Sequence, residues 1–314
     1  MFSRSTSFFW AFTLFSLSQT PGPVLAEKAG PSLLRVDWQP GKAYVWETTT
    51  ETTTKATGNL QTLQIKQRTD MEVLASPNGG KDVRVTFAQL SGEMIGPGGT
   101  AKFDTDHPET SNPDLLSTLG QSLGKSFVLQ YDDKNRFTDV KTVESLTGAG
   151  AANAALSQLA DIRAVAGLFR KSMEMGLPPV PVTPGATWVA DEILEFPKAG
   201  ETKVKLNGKY EAREKFLGRD HAKIEVTGKI QTTESGKTKQ ATDFAISEAS
   251  QLTGFVYFDL ERHVMTMNVS TTKLELIIDE QPVSFDQKST MRLVGIQEIR
   301  RAVPLEDDEE KNKE

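Results

Sequence analysis

Five residues between 104 and 114 form the densest group of metal-ligating side-chain types in the chain: Asp104, Asp106, His107, Glu109 and Asp114. A calcium loop needs oxygen ligands at alternate positions and a glycine that turns the chain. This stretch has neither. One histidine among scattered carboxylates is also a poor set for zinc. The stretch reads as a solvated loop, with an aspartate cap before Leu115-Leu116 and weak calcium binding as the alternative. Gly120-Gln121-Ser122-Leu123-Gly124-Lys125-Ser126 imitates a phosphate-binding loop. Its glycines stand too close together, and no buried apolar strand leads into it to aim its amides at a phosphate. That reading is rejected.

Nucleophilic chemistry is poorly provided for. The chain has no cysteine and 3 histidines, His107, His221 and His263. His221 and His263 fall at or beside hairpin turns and read as surface residues. Neither Gly-x-Ser-x-Gly nor His-Glu-x-x-His occurs. Carboxylate pairs for glycoside cleavage meet in space rather than in sequence, and nothing selects two from the 42 acidic residues. The expectation is a protein that is not an enzyme, with no catalytic residue, metal or cofactor assigned.

What remains is binding, and the element that would shape a site is one long helix over 149–175. Leu156, Leu159, Ile162, Ala166, Phe169 and Met173 recur at spacings of three and four, on one face of a 3.6-residue period. The alanine run 151–155 favours helix because alanine loses no rotamer freedom there. Gly176 suits the residue after the last turn, and Pro178 cannot continue it. An amphipathic helix of about seven turns must bury its stripe on something. The expected partner is the concave face of a sheet, with Leu159, Ile162, Phe169 and Met173 lining a ligand space between helix and sheet.

Nearly everything else reads as strand. Tyr44, Trp46, Thr48, Thr50 and Thr52 alternate in a stretch whose residue types suit a pleated, half-buried surface. Pro77-Asn78-Gly79-Gly80 and Gly96-Pro97-Gly98-Gly99 mark turns between alternating runs. Phe127–Tyr131, a turn closing on Asn135, and Phe137–Val140 read as a hairpin. In the second half, long alternating strands cover 202–216 and 221–231, a hairpin is centred on 259–262, and closing strands follow to Ile296. Pro184-Gly185-Ala186-Thr187-Trp188 echoes Pro40-Gly41-Lys42-Ala43-Tyr44, and Phe258-Asp259 echoes Phe103-Asp104. The reading is an internal duplication.

Arg4, the apolar run from Phe8 to Leu17, and Val24-Leu25-Ala26 match a secretory signal cleaved before Glu27, and the run is too short to span a bilayer. Removing 1–26 takes away one basic residue and leaves 35 basic against 42 acidic, a net charge of −7. That balance disfavours nucleic acid or an anionic membrane surface as partner. Without cysteine, stability must come from a core. The acidic end, 304–314, cannot bury apolar surface and should be disordered. The expected organisation is a signal peptide 1–26, a first β-meander half 27–147, helix and proline hinge 148–183, a second half 184–303, and the tail. No transmembrane segment is expected after cleavage, and the location is periplasmic or extracellular.

The Pro-Gly-x-x-Tyr/Trp openings, the Phe-Asp segments, the Gly124–Val140 hairpin and Leu177-Pro178-Pro179-Val180-Pro181-Val182-Thr183-Pro184-Gly185-Ala186-Thr187-Trp188 together resemble an exported bacterial family of unknown function. The resemblance covers about 38–300 and brings no catalytic residues. At fold level the pattern is similar to the half-barrel of periplasmic lipoprotein carriers. The expected fold is mainly β (α+β): a strongly bent antiparallel sheet or half-barrel of about a dozen strands, with one long amphipathic helix on its concave face. Two tandem β-domains are the alternative. The expected function is binding of an apolar or lipid-like ligand between sheet and helix. The alternative is an envelope scaffold with a filled core and a protein partner.

Overall fold

Alternation of apolar and charged residues decides both faces of the sheet. In Val204, Leu206 and Tyr210 the side chains are buried, while Lys203, Lys205 and Lys209 between them are exposed. The following strand repeats this with Ile224, Val226 and Ile230 against Glu225, Thr227 and Lys229. Period-2 patterning of this strength leaves one register per strand, because a slip of one residue would bury the lysines.

The computed structural model describes residues 30–56, 58–120, 123–142, 162–174, 176–196, 200–232, 244–278 and 281–299. The strands are β1 (Lys42–Ala56), β2 (Asn59–Ala75), β3 (Lys81–Gly96), β4 (Gly99–Asp104), β5 (Ser126–Tyr131) and β6 (Phe137–Thr142), then β7 (Thr187–Phe196), β8 (Gly200–Phe216), β9 (Arg219–Thr232), β10 (Phe244–Ile246), β11 (Gln251–Asp259), β12 (Val264–Ile278) and β13 (Gln281–Glu298). The α-helices are α1 (Pro113–Leu119) and α2 (Ile162–Glu174). All pairings are antiparallel, and the strands form a 13-stranded sheet in the order β6-β5-β3-β2-β1-β13-β12-β11-β9-β8-β7. β4 adds to β3 and β10 to β12. Each half of the chain is a meander, and the two meet where β1 pairs with β13 from Lys42↔Glu298 to Ala56↔Val283.

The turns follow the expected chemistry. Gly79, Gly99 and Asn135 have positive φ, of 78°, 105° and 56°. Gly41 and Gly185 take φ of 83° and 90°, and each donates its N–H across the sheet, to Val73 O and Tyr210 O. The two Pro-Gly openings therefore share one local geometry. The cap of α1 differs from the reading above. Asn112, not Asp114, is the N-cap, its side chain accepting from Asp114 N and Leu115 N.

The helix expected over 149–175 is also revised. The described helix is Ile162–Glu174, 13 residues long, and 143–161 lie outside the described residues. Gly176 ends it with φ of 82°, as its position predicted. The signal segment 1–26 and the acidic tail likewise lie outside the described residues. No helix among the described residues is long and apolar enough to cross a membrane, a statement that concerns helices only.

Helix α2 packs against β5 and β6 at one end of the strand order and against β7 at the other. Strands lie about 4.8 Å apart, so a flat path of this many strands would hold its edges roughly 45–50 Å apart. A 13-residue helix is only about 20 Å long. The sheet must curl until both edges reach α2, with the helix in its concavity. The stretch before β1 joins this core with its own period-2 alternation, Leu34, Val36 and Trp38 against Arg35 and Asp37. Leu34, Val36 and Trp38 are almost fully buried, and Ser32 bridges Val182. Trp38 packs edge-on against Tyr44 with ring centroids 5.3 Å apart.

Candidate functional site

The site is built on α2. Phe169 points from it toward Phe127 of β5, with centroids 6.0 Å apart. The next residue, Arg170, pairs with Glu174 one turn on at 2.8 Å and lies over the Phe137 ring. Tyr131 donates its hydroxyl to Glu174 Oε1 at 3.2 Å. Burial, reinforced by the Glu174 carboxylate, pushes the Tyr131 hydroxyl far above the ordinary tyrosine range. These contacts tie the helix to the β5–β6 edge. On the other side the Trp188 indole N–H of β7 donates to Gly176 O at 3.1 Å. Trp188 lies flat over Gly208, where any Cβ would strike its ring. In the middle, Asn268 of β12 donates Nδ2 to Ser172 O at 3.3 Å.

Between these anchors is a cavity of about 190 Å³ under the helix. Its roof is Phe169 and Ser172. The floor comes from adjacent rows of the sheet. One row holds Gln67, Thr48, Met291, Asn268 and Val256, which are neighbours across β2, β1, β13, β12 and β11. The next holds Ser289, Ser270, Gly254 and Val226. Gly254 keeps the floor low, since a Cβ there would run into the Val269 carbonyl.

Of the four side chains expected to line the ligand space, the structure brings Phe169 to the cavity. Met173 is placed differently. It is 1% exposed and sits in the hydrophobic core rather than on the cavity wall. Three residues or four after Phe169 point to different neighbours once the curled sheet surrounds the helix. Of Ile162 only the backbone is described, and Leu159 lies outside the described residues. The expected cavity was apolar, but this one is mixed. Thr48, Gln67, Asn268, Ser270 and Ser289 were missed. Their only sequence signal was alternation, which does not say which face turns inward.

A second cavity, about 200 Å³, lies by the hairpin tips and is lined by Leu217, His221, Asp259, Arg262, Thr266 and Leu293 among others. His221 corrects the surface reading above, being 1% exposed. Asp259 is fully buried and is its register partner. The Nδ1 of His221 is 3.0 Å from the Arg219 carbonyl, which can only accept, so the proton sits on Nδ1. Asp259 Oδ1 accepts from Glu261 N and Arg262 N. His221 Nε2 and Asp259 Oδ2 have no hydrogen-bond partner among the described residues. In the 104–114 loop, Asp104 accepts from Asp106 N, Asp106 from Gln89, and His107 lies 3.5 Å from Glu109. Among the described residues no three His, Cys, Asp or Glu side chains group to hold a metal ion.

No family model matches the chain, and no curated protein matches it, so the family resemblance rests on its own motifs. Similar solved structures include a lipovitellin structure concerned with lipid–protein interactions, 12% identical over 85% of this chain and 26% of that one, with a TM-score of 0.49. The chain thus spans about a quarter of that protein's length. Another is a crystal structure of MucB in complex with MucA(peri), 10% identical over 82% of this chain and 94% of that one, with a TM-score of 0.12. Both scores lie below 0.5, and nothing about function follows from them. The fold itself defines a mainly β protein with one curled, open, antiparallel sheet and a helix laid in its concavity.

Proposed function

We propose that this is an exported, non-enzymatic envelope protein that binds an apolar or lipid-like ligand between its sheet and helix α2. The reading rests on one observation. The helix is held at both sheet edges and over β12, yet a cavity stays open beneath Phe169 instead of being filled by side chains. Small-ligand sites are concave and mostly pre-formed, and this arrangement provides one. The inner face continues past the cavity along the long strands with Ile65, Leu63, Leu274 and Phe285, all half-buried. Those positions suit an acyl or similar chain. Export follows from the signal-like segment 1–26, with the periplasm or the extracellular space as destination. The internal echo of Pro-Gly openings fits a duplicated ancestor.

The second reading is an envelope scaffold with a protein partner. The small size of the cavity and the fully buried Trp38, Trp46 and Met173 favour it.

Native mass spectrometry of protein purified from its host's envelope, followed by organic extraction, separates the two. A stoichiometric lipid that disappears in Phe169→Asp supports the first. A bare polypeptide that takes up no added lipid or fluorescent fatty acid sinks it and turns attention to protein partners.

A further inference from the structure

The cavity wall is not only mixed; its polar half is of one kind. Thr48, Gln67, Ser172, Asn268, Ser270 and Ser289 all line it, and no Lys, Arg, His, Asp or Glu does so among the described residues. The charged residues of the same strands, such as Glu47, Lys66, Arg68, Lys273, Lys288 and Arg292, alternate onto the opposite face. The pair of opposite charges on α2 nearest the site, Arg170 and Glu174, is already joined and faces Phe137 and Tyr131.

An ionised group moved into such a wall would lose its hydration with no opposite charge to replace it, a cost of several kcal/mol. A hydroxyl or amide pays no such penalty, because the wall offers both donors and acceptors. Part of that capacity is used internally. Thr50 and Ser289 hydroxyls are 3.2 Å apart, and Asn268 Nδ2 is engaged by Ser172 O. Asn268, Thr48 and Ser270 line the space, and Asn268 Oδ1 and the two hydroxyls make no other side-chain hydrogen bond among the described residues. A fully apolar ligand would leave them unsatisfied, which costs about 1–3 kcal/mol per group.

Volume narrows the choice further. A cavity of about 150 Å³ takes one benzene ring, so about 190 Å³ has room for a group of similar size. That suits a head of about six heavy atoms, and a longer hydrocarbon chain has room along the Ile65, Leu63, Leu274 and Phe285 rows.

We infer that the ligand is a neutral amphiphile whose uncharged, hydroxyl-bearing head, of glycerol size, sits in the cavity beneath α2. This inference rests on the lipid-binding reading above and names the ligand class within it.

The test uses the delipidated mature chain and three ligands that share one oleoyl tail: monooleoylglycerol, oleate and oleoyl lysophosphatidylglycerol. Native mass spectrometry competition gives their relative affinities. Monooleoylglycerol should bind at least tenfold tighter than the two anions. The double variant Thr48→Val, Ser270→Ala should weaken monooleoylglycerol about tenfold and leave oleate unchanged, with circular dichroism confirming the fold. Equal affinity for all three, or preference for either anion, overturns the inference while the lipid reading stands. Binding of none of the three overturns both.

Discussion

The chain has four tyrosines, and all of them are held above the ordinary range. Burial is the main cause for Tyr44, Tyr131 and Tyr210, and the hydrogen bond to Glu214 for Tyr257. A hydroxyl whose folded-state value is raised stabilises the fold fully below the unfolded value of about 10 and loses that contribution as pH rises beyond it. Tyrosinate absorbance should therefore stay low past that pH and then appear together with loss of the near-ultraviolet circular dichroism signal. Ordinary titration of several tyrosines before unfolding would contradict these placements. Asp259 provides a second residue-scale test. Its Oδ1 fixes the turn before β12, while Oδ2 is a buried acceptor without a partner. Asp259→Asn keeps the first and removes the buried charge, so it should leave stability unchanged or raised. Asp259→Ala should lose about 1–2 kcal/mol through the unmade turn hydrogen bonds. Urea unfolding of both variants checks the order, and equal losses would contradict it. His221 and Asp259 could not be placed from sequence. A histidine near a turn is usually exposed, but the rings of Phe216 and Tyr257 pack edge-on against this one.

At the scale of elements, α2 is positioned by its ends more than by its stripe. Gly176 holds φ of 82°, and a Cβ there would meet Val226 Cγ2 at 2.7 Å. Gly176→Ala should cost about 1–2 kcal/mol from backbone strain, plus whatever Val226 must give. Trp188→Phe keeps the ring over Gly208 but drops the bond to Gly176 O, for about 1 kcal/mol. Thermal unfolding of each reads these losses, and a neutral Gly176→Ala would mean that the turn relaxes freely. The helix stripe was legible where it met a single core. Ala166 and Met173 are buried as their spacing required. The ligand-facing role falls differently, because among the described residues of the stripe it is Phe169 that turns to the cavity. β1 shows the opposite case. Its Thr-rich alternation predicted a strand correctly, but the inward row of threonines acquires meaning only beside Gln67, Ser289 and Asn268 on other strands.

For the whole molecule, the seam between β1 and β13 is decisive. Thr50 and Ser289 meet across 239 residues of chain, and such non-local pairing is slow to form because loop closure must precede it. A chain stopped after residue 280 lacks β13 and cannot join its two meanders. It should show no cooperative unfolding transition and should expose apolar surface to dyes, whereas a sharp transition would mean that each half folds alone. The amino-acid sequence by itself determined the strands, the alternation of their two faces, most turns, the end of α2 at Gly176 and the reliance on a core without disulfides. These follow from local rules: period-2 alternation, positive φ at glycine and asparagine, and rotamer freedom in a helix. Tertiary structure alone decided that β1 pairs with β13, that the sheet curls until α2 touches both edges, that Leu34, Val36 and Trp38 join the core of distant strands, and that uncharged polar side chains gather under the helix. Those outcomes depend on which distant strands become neighbours, and backbone hydrogen bonds are the same whichever partner they choose.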